Sequence, residues 1–153
     1  MAGWKDFGEI VAWQRAETVK LRVYELLQRP QVKRDFRFVD QLRDAARSAP
    51  ANIAEGFGRF GNKEFARFAR IARGSEQEVL NHLIDARDQR LITDEELKIE
   101  EDHVRKALEA TAGLIRHLER TATQPHSSTR REPEVEPNLE HGTRNPEPKK
   151  AKT

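Results

Sequence analysis

Apolar side chains recur every three or four residues in four segments of the chain, and no segment shows the sustained alternation typical of a strand. The first segment runs from about residue 9 to residue 28, and the second from about residue 34 to residue 55. The third begins after Gly61, and the fourth begins at Thr93. Because the links between them are short, consecutive helices should lie antiparallel. The pattern predicts an all-α protein, an antiparallel up-down-up-down four-helix bundle.

The third and fourth segments carry signals for where their helices begin. Asn62 is a plausible N-cap, and the run Thr-Asp-Glu-Glu from Thr93 has the form of a capping box. Gly74 and Ser75 interrupt the third segment. The interruption costs about 1 kcal/mol of helix propensity. Close packing of another helix against this position would explain why it is tolerated. The third apolar stripe comprises Phe65, Phe68, Ala72, Val79, Leu83 and Ala86. The fourth comprises Leu97, Val104, Leu108, Thr111, Ile115 and Leu118.

The sequence RSAPANIAEGFGR at residues 47–59 continues the second helical pattern through a proline. Pro50 lacks a backbone donor and crowds the carbonyl one turn back, so a kinked helix is expected. Gly56 is predicted to end this helix as a left-handed cap. The pattern favours an architectural role, and the structural motif consists of Ser48, Pro50, Asn52, Ile53, Glu55 and Gly56.

Polar residues of this motif have a structural and a catalytic interpretation. Glu55 has no second carboxylate or histidine at a useful spacing, which disfavours acid–base catalysis. We expect Asn52 and Glu55 to satisfy backbone groups near Pro50 or to pair with an arginine such as Arg59. The Ser48 hydroxyl is expected to bond a carbonyl one turn back.

Composition divides the chain into two parts. Five of the seven prolines follow Ala122, together with very few large apolar side chains. We therefore predict a four-helix bundle over residues 1–121 and a disordered polyampholyte tail over residues 122–153. The absence of cysteine excludes disulfides, a thiolate nucleophile and a cysteine zinc site. No signal peptide or membrane-spanning run is evident, so a cytoplasmic protein with no membrane partner is expected.

Basic residues form rows on two of the predicted helices, although the net charge is only +2. Such rows could neutralise phosphates and give salt-dependent nucleic-acid binding. Nearby carboxylates favour the alternative of a solvated face whose charges pair along the helix. The candidate nucleic-acid-binding residues are Arg43, Arg47, Arg59, Lys63, Arg67 and Arg70.

Two short motifs suggest chemistry that their context does not support. A G-x-G-x-x-G run begins at Gly56, but a dinucleotide site needs a preceding strand, and here a helix precedes it. Amides at the start of the third helix, beside Arg59 and Lys63, could still hold a phosphate. A single Glu-x-x-His ends at His103, whereas a di-iron bundle needs two. The sequence thus predicts no catalytic site, no metal and no cofactor.

Four aromatic residues lie at helix ends and links, outside the apolar stripes. They are Trp4, Phe7, Phe57 and Phe60. They could cap the ends of the bundle or anchor contacts between subunits.

Three stretches of the sequence together resemble those of a known family. They are AWQRA from Ala12, QLRDAARSAPANIAEG from Gln41, and EFARF from Glu64 followed by IARGSEQE from Ile71. Over about residues 4–120 the chain resembles the bacterial four-helix-bundle proteins encoded in intervening sequences of 23S rRNA genes. A related accessory protein of diversity-generating retroelements contacts nucleic acid and a reverse transcriptase.

The resemblance implies a homopentamer of antiparallel bundles with no enzymatic activity attached to it. We therefore expect a non-enzymatic oligomeric scaffold associated with RNA or DNA through basic helix faces. The alternative is a protein–protein interaction scaffold with no direct nucleic-acid role. A reverse transcriptase or another protein is a further candidate partner.

Overall fold

The computed structural model describes residues 3–123, and within that range every regular element is a helix. The helices are α1 (Val11–Leu27), α2 (Pro30–Lys33), α3 (Phe36–Phe57), α4 (Asn62–Asp88) and α5 (Asp94–Ala122), preceded by a 3-10 turn at Phe7–Glu9. The predicted all-α class is confirmed. The short α2, which begins at a proline, occupies a stretch predicted as a link. The predicted tail lies outside the described residues from residue 124 onward.

The four long helices form a closed bundle in which α1 contacts α3, α3 contacts α4, α4 contacts α5, and α5 contacts α1. Hydrogen bonds between α4 and α5 join Asn62 to Thr121 and Glu76 to Thr111, so residue numbers rise on one helix as they fall on the other. The same opposite order holds for the ion pairs that α5 forms with Arg22 of α1 and with Arg29 just beyond α1, and for the aromatic contacts between α3 and α4. These neighbouring helices therefore run in opposite directions.

The core consists of two apolar clusters separated by polar side chains. One cluster includes Val19, Val23, Leu27, Leu42, Val79, Leu83 and Val104. The other includes Ile10, Ala16, Ala49, Ile53, Phe65, Ala72 and Leu118. Along α4 and α5, the buried polar residues Ser75, Glu76 and Thr111 fall between the two clusters. We call these three residues, with Ser48 and Asn52 of α3, the polar layer.

Gly56 does not end α3 as a left-handed cap, so that prediction is wrong. The glycine is buried inside the helix, and the glycine with a positive φ in the described range is Gly61, at 95°. A Cβ placed at Gly56 would lie 2.5 Å from a ring carbon of Phe65 and 2.8 Å from Cβ of Phe68. Glycine is needed at this position because α4 approaches the backbone of α3 so closely.

The predictions for the beginning and the middle of α4 also need correction. Gly61, not Asn62, is the N-cap, and the Asn62 side chain donates a hydrogen bond to the Thr121 hydroxyl at 2.7 Å. The helix continues through Gly74, where a Cβ would meet no atom within 4 Å. Close packing therefore does not explain Gly74, and the neighbouring Ser75 is the buried residue.

The capping box at the start of α5 is confirmed. The Glu96 amide donates to the Thr93 hydroxyl oxygen at 3.1 Å, and the Thr93 amide donates to the Glu96 carboxylate at 2.8 Å. Two amides at the helix start are satisfied reciprocally. Over the part of the chain described, none of the helices combines the length and the apolar character that a membrane span requires.

Candidate nucleic-acid interface

The residues around Pro50 form contacts between α3 and α4. The Asn52 side-chain amide donates to the Ser48 carbonyl at 2.8 Å, and the same nitrogen lies 3.1 Å from the Ser48 hydroxyl. That hydroxyl lies 2.8 Å from the hydroxyl of Ser75 on α4, so it links two helices instead of bonding a carbonyl one turn back. Ile53 is fully buried in the second apolar cluster. The motif thus packs α3 on α4.

Glu76 and Thr111 form the other half of the polar layer, and of the two only Thr111 was predicted to lie on an apolar stripe. The Thr111 hydroxyl donates to Glu76 Oε1 at 2.7 Å, and both residues are almost completely buried. Glu76 Oε2 is also buried and has no hydrogen-bond partner among the described residues. Burial raises the pKa of this carboxyl to about 7, although the Thr111 hydrogen bond and the charge of Arg73 oppose the rise.

A sequence signal for Glu76 existed. It lies four residues after Ala72 and three before Val79, which places it on the apolar stripe of α4. Thr111, on the stripe of α5, is fully buried as its spacing predicted. A charged residue in the middle of an apolar stripe indicates a polar group that is buried in the core.

Five of the six candidate basic residues form ion pairs within the chain. The partners are Asp40 for Arg43 at 3.1 Å, Asp44 for Arg47 at 3.2 Å, Glu55 for Arg59, Glu64 for Arg67 at 2.7 Å, and Glu119 for Arg70. Lys63 is exposed and has no acidic partner in residues 3–123. Pairing along the helix, the alternative to phosphate binding, therefore occurs for most of these side chains. Exposed pairs of this kind are worth about 0–1 kcal/mol, so a phosphate could displace the carboxylates.

The structure brings some of the predicted residues together and separates others. The guanidinium groups of Arg59 and Arg67 lie 5.2 and 4.5 Å from the ring centre of Phe68. Arg70 instead contacts Glu119 on α5. Arg47 precedes the end of α3 by ten residues, or about 15 Å of helix. The candidate residues thus fall into a group at the α3–α4 connection and a second group midway along α3, with Arg70 apart from both, against α5.

The beginning of α4 adds further positive character to the α3–α4 connection. Its N-cap, Gly61, has no side chain that could accept from the first amides. Unsatisfied amides and the helix dipole favour an anion at this position. Glu64, in the first turn, partly compensates that charge and also holds Arg67. Lys63 lies in the same turn and is the basic side chain most available to a phosphate.

The glycine-rich run at this connection is not a dinucleotide-binding turn, because it follows a helix and no strand occurs in the described residues. Within residues 3–123, no group of three or more histidine, aspartate or glutamate side chains is arranged to hold a metal ion.

The four aromatic residues at the helix ends differ in their surroundings. Trp4 and Phe57 pack edge-on against Phe65, with ring centres 6.4 Å apart in each pair. Phe7 contacts Trp13, at 5.2 Å between ring centres, and stays partly exposed. Phe60 is fully exposed on the α3–α4 connection. Trp4 and Phe57 therefore cap the end of the bundle at the α3–α4 connection, whereas Phe60 projects from that end.

Comparison with known proteins agrees with the helical architecture. The sequence matches no curated protein. A family model described as 23S rRNA-intervening sequence protein matches residues 8–113, which span most of α1 through α5. The match covers more than half of the sequence, and it includes the motif around Pro50 and the polar layer. The chain therefore belongs to the family of 23S rRNA-intervening sequence proteins.

Proposed function

We propose that the chain is a non-enzymatic, self-associating helical scaffold that binds nucleic acid at the α3–α4 connection. The observation that supports this function is the positive cluster formed by Lys63, the uncapped start of α4, and the two arginines over the Phe68 ring. Backbone amides and basic side chains that converge in this way are suited to phosphate oxygens. The buried Glu76 is remote from solvent, which disfavours a catalytic role for it.

A salt titration tests this function with a charge-matched control. Reversal of Lys63, Arg67 and Arg70 to glutamate should weaken binding of a labelled oligonucleotide and flatten the dependence of log K on log salt. Each lost phosphate contact should reduce that slope by about 0.7–0.9. The control reverses Lys33, Arg34 and Arg37, which are exposed at the opposite end of the bundle. Equal binding by both variants, each shown to be folded by circular dichroism, would refute the proposed interface.

Self-association is the second element of the proposal, with a homopentamer as the expected assembly. Large apolar side chains exposed on the isolated chain support it, because exposed aromatic residues are frequent anchors of interfaces. The most exposed are Val11, Leu21, Phe36, Phe60 and Ile99. Light scattering of the purified protein measures the mass directly. A monomer at high concentration would reject this part of the proposal.

The same exposed side chains support the alternative function, a protein-interaction scaffold without a direct nucleic-acid role. A reverse transcriptase is one candidate partner. A pull-down after nuclease treatment distinguishes the two functions, because a protein contact survives the nuclease and a contact bridged by nucleic acid does not.

A further inference from the structure

A cavity of about 320 Å³ opens at the end of the bundle beside the α3–α4 connection. Its walls include four ring side chains: Trp4, Phe57, Phe65 and His117. The volume lies at the lower end of the range for small-molecule sites, which is suitable for a single planar ring system. Three of the four rings, those other than Phe65, are partly exposed and so accessible from solvent.

The rings are arranged edge-to-face, which leaves ring faces available for stacking. Trp4 is inclined at 77° to Phe65 and at 70° to His117, with ring centres 6.4 and 5.6 Å apart. In such T-shaped pairs the edge of one ring meets the face of the other, so the face of the first ring is not covered by that contact. A flat ligand could therefore stack on the indole of Trp4 or on a neighbouring ring.

One side of the cavity is lined by part of the positive cluster already described, namely Arg59 and the start of α4. Arg59, Gly61 and Asn62 line the cavity, and Lys63 follows them in the first turn of α4. A ligand with a flat ring on one side and an anion on the other would satisfy both parts at once. A nucleobase joined to its phosphate has this combination, whereas a purely apolar ligand would leave the positive rim unused.

We infer that this cavity takes an unpaired base of a single-stranded nucleic acid, stacked against Trp4, while the adjoining phosphate lies near Lys63 and the first amides of α4. This inference rests on the proposed nucleic-acid function and specifies what that site recognises. Because stacking and phosphate contacts are available to both kinds of strand, single-stranded RNA and DNA should both bind. A base held within a duplex could not enter, because its faces are already stacked.

Oligonucleotides with and without bases test the inference on the unmutated chain. A single-stranded oligonucleotide and an abasic oligonucleotide of equal length carry the same phosphates, so only the first can use the cavity. Base–aromatic stacking predicts that the base-bearing strand binds roughly 5- to 150-fold more tightly. In the Trp13→Phe variant, where Trp4 is the remaining tryptophan, the base-bearing strand should quench fluorescence and the abasic strand should not.

The Trp4→Leu variant should bind both strands with the affinity that the unmutated chain shows for the abasic one. The matched control, Trp13→Phe, should keep the preference for bases. Equal affinity for the two strands in the unmutated chain, with a steep salt dependence, would overturn the inference and leave the proposed function intact. Absence of salt-dependent binding to either strand would instead remove the proposed function as well. The comparison on the unmutated chain stays decisive even if Trp4→Leu fails to fold.

Discussion

Replacing Glu76 with glutamine should remove a large part of the pH dependence of stability. The carboxyl is buried between two apolar clusters, and one of its oxygens has no partner in the described residues. Burial raises its pKa to about 7 from the ordinary value of 4.5. The folded chain therefore binds this proton more tightly than the unfolded chain does, and the contribution of Glu76 to stability is most favourable at acidic pH.

The size of this change in the free energy of unfolding follows from the difference between the pKa values of Glu76 in the folded and unfolded chain. Below pH 4.5 the carboxyl is protonated in both states, and its ionisation costs no stability. Between pH 4.5 and about 7 the free energy of unfolding falls, and above that range the full loss is present. At about 1.4 kcal/mol for each pH unit, the loss is about 3 kcal/mol. This is a substantial fraction of the 5–15 kcal/mol typical of a folded protein.

Urea unfolding followed by far-UV circular dichroism at pH 4.5, 5.5, 6.5 and 7.5 measures the effect. The glutamine variant keeps an acceptor for the Thr111 hydroxyl. It also buries an amide NH2 group at the position of Glu76 Oε2, which has no hydrogen-bond partner in the described residues. That change can cost about 1–3 kcal/mol at every pH. The quantity to compare is therefore the change in stability with pH, which should be smaller in Glu76→Gln by about 3 kcal/mol across this range.

The control variant is Glu25→Gln, because Glu25 is exposed on α1. Its removal should leave the pH dependence of the unmutated chain unchanged. The reasoning fails if Glu76→Gln and the unmutated chain lose stability in parallel as the pH rises. In that case the carboxyl is either solvated or partnered in solution, and the polar layer is not as dry as its burial indicates.

Three further predictions concern packing and helix ends. Gly56→Ala should destabilise the fold by about 1–3 kcal/mol because its Cβ would overlap Phe65, whereas the matched control Gly74→Ala, with open space around it, should stabilise α4 by roughly 0.5–1 kcal/mol. Thr93→Ala should cost about 1 kcal/mol through loss of the capping box. Separating Arg22 from Glu100 should cost less than about 1 kcal/mol in a double-mutant cycle, since this bidentate pair is partly exposed. Urea unfolding measures all three.

Specific outcomes would contradict these expectations. Equal stabilisation by Gly56→Ala and Gly74→Ala would show that α4 does not approach α3 as closely as described. A neutral Thr93→Ala would mean that the start of α5 frays. A coupling between Arg22 and Glu100 that does not weaken in high salt would indicate a pair shielded from water.

The helices could be predicted from the sequence because each buries one face, and the apolar residues of that face recur with the helical period. The meaning of single residues inside them was harder to predict. Glycine serves equally in a left-handed turn and at a close helix contact, and the sequence around Gly56 is compatible with both. The choice depends on Phe65, which approaches from another helix. Asn62 was similarly ambiguous, since its partner Thr121 lies far away in the sequence.

The candidate site shows the same division between local and distant partners. The pairs Arg43–Asp40 and Arg67–Glu64 are three residues apart, so local spacing was sufficient to anticipate them. The pairing of Arg70 with α5 depends on the bundle and could not be anticipated in that way. The cavity was not predicted either, because its rings come from the chain segment before α1 and from three helices, α3, α4 and α5.

The polar layer also restricts how the helices can slide along one another. An apolar interface of alanine, valine and leucine would tolerate a shift of one helical turn, because similar side chains would meet again. A displacement of α5 by one turn, about 5.4 Å, would instead carry the Thr111 hydroxyl away from Glu76 and leave the carboxylate facing hydrocarbon. The same shift in α3 would separate the hydroxyls of Ser48 and Ser75. Two hydrogen-bonded pairs near the middle of the bundle thus select a single axial register for α3, α4 and α5.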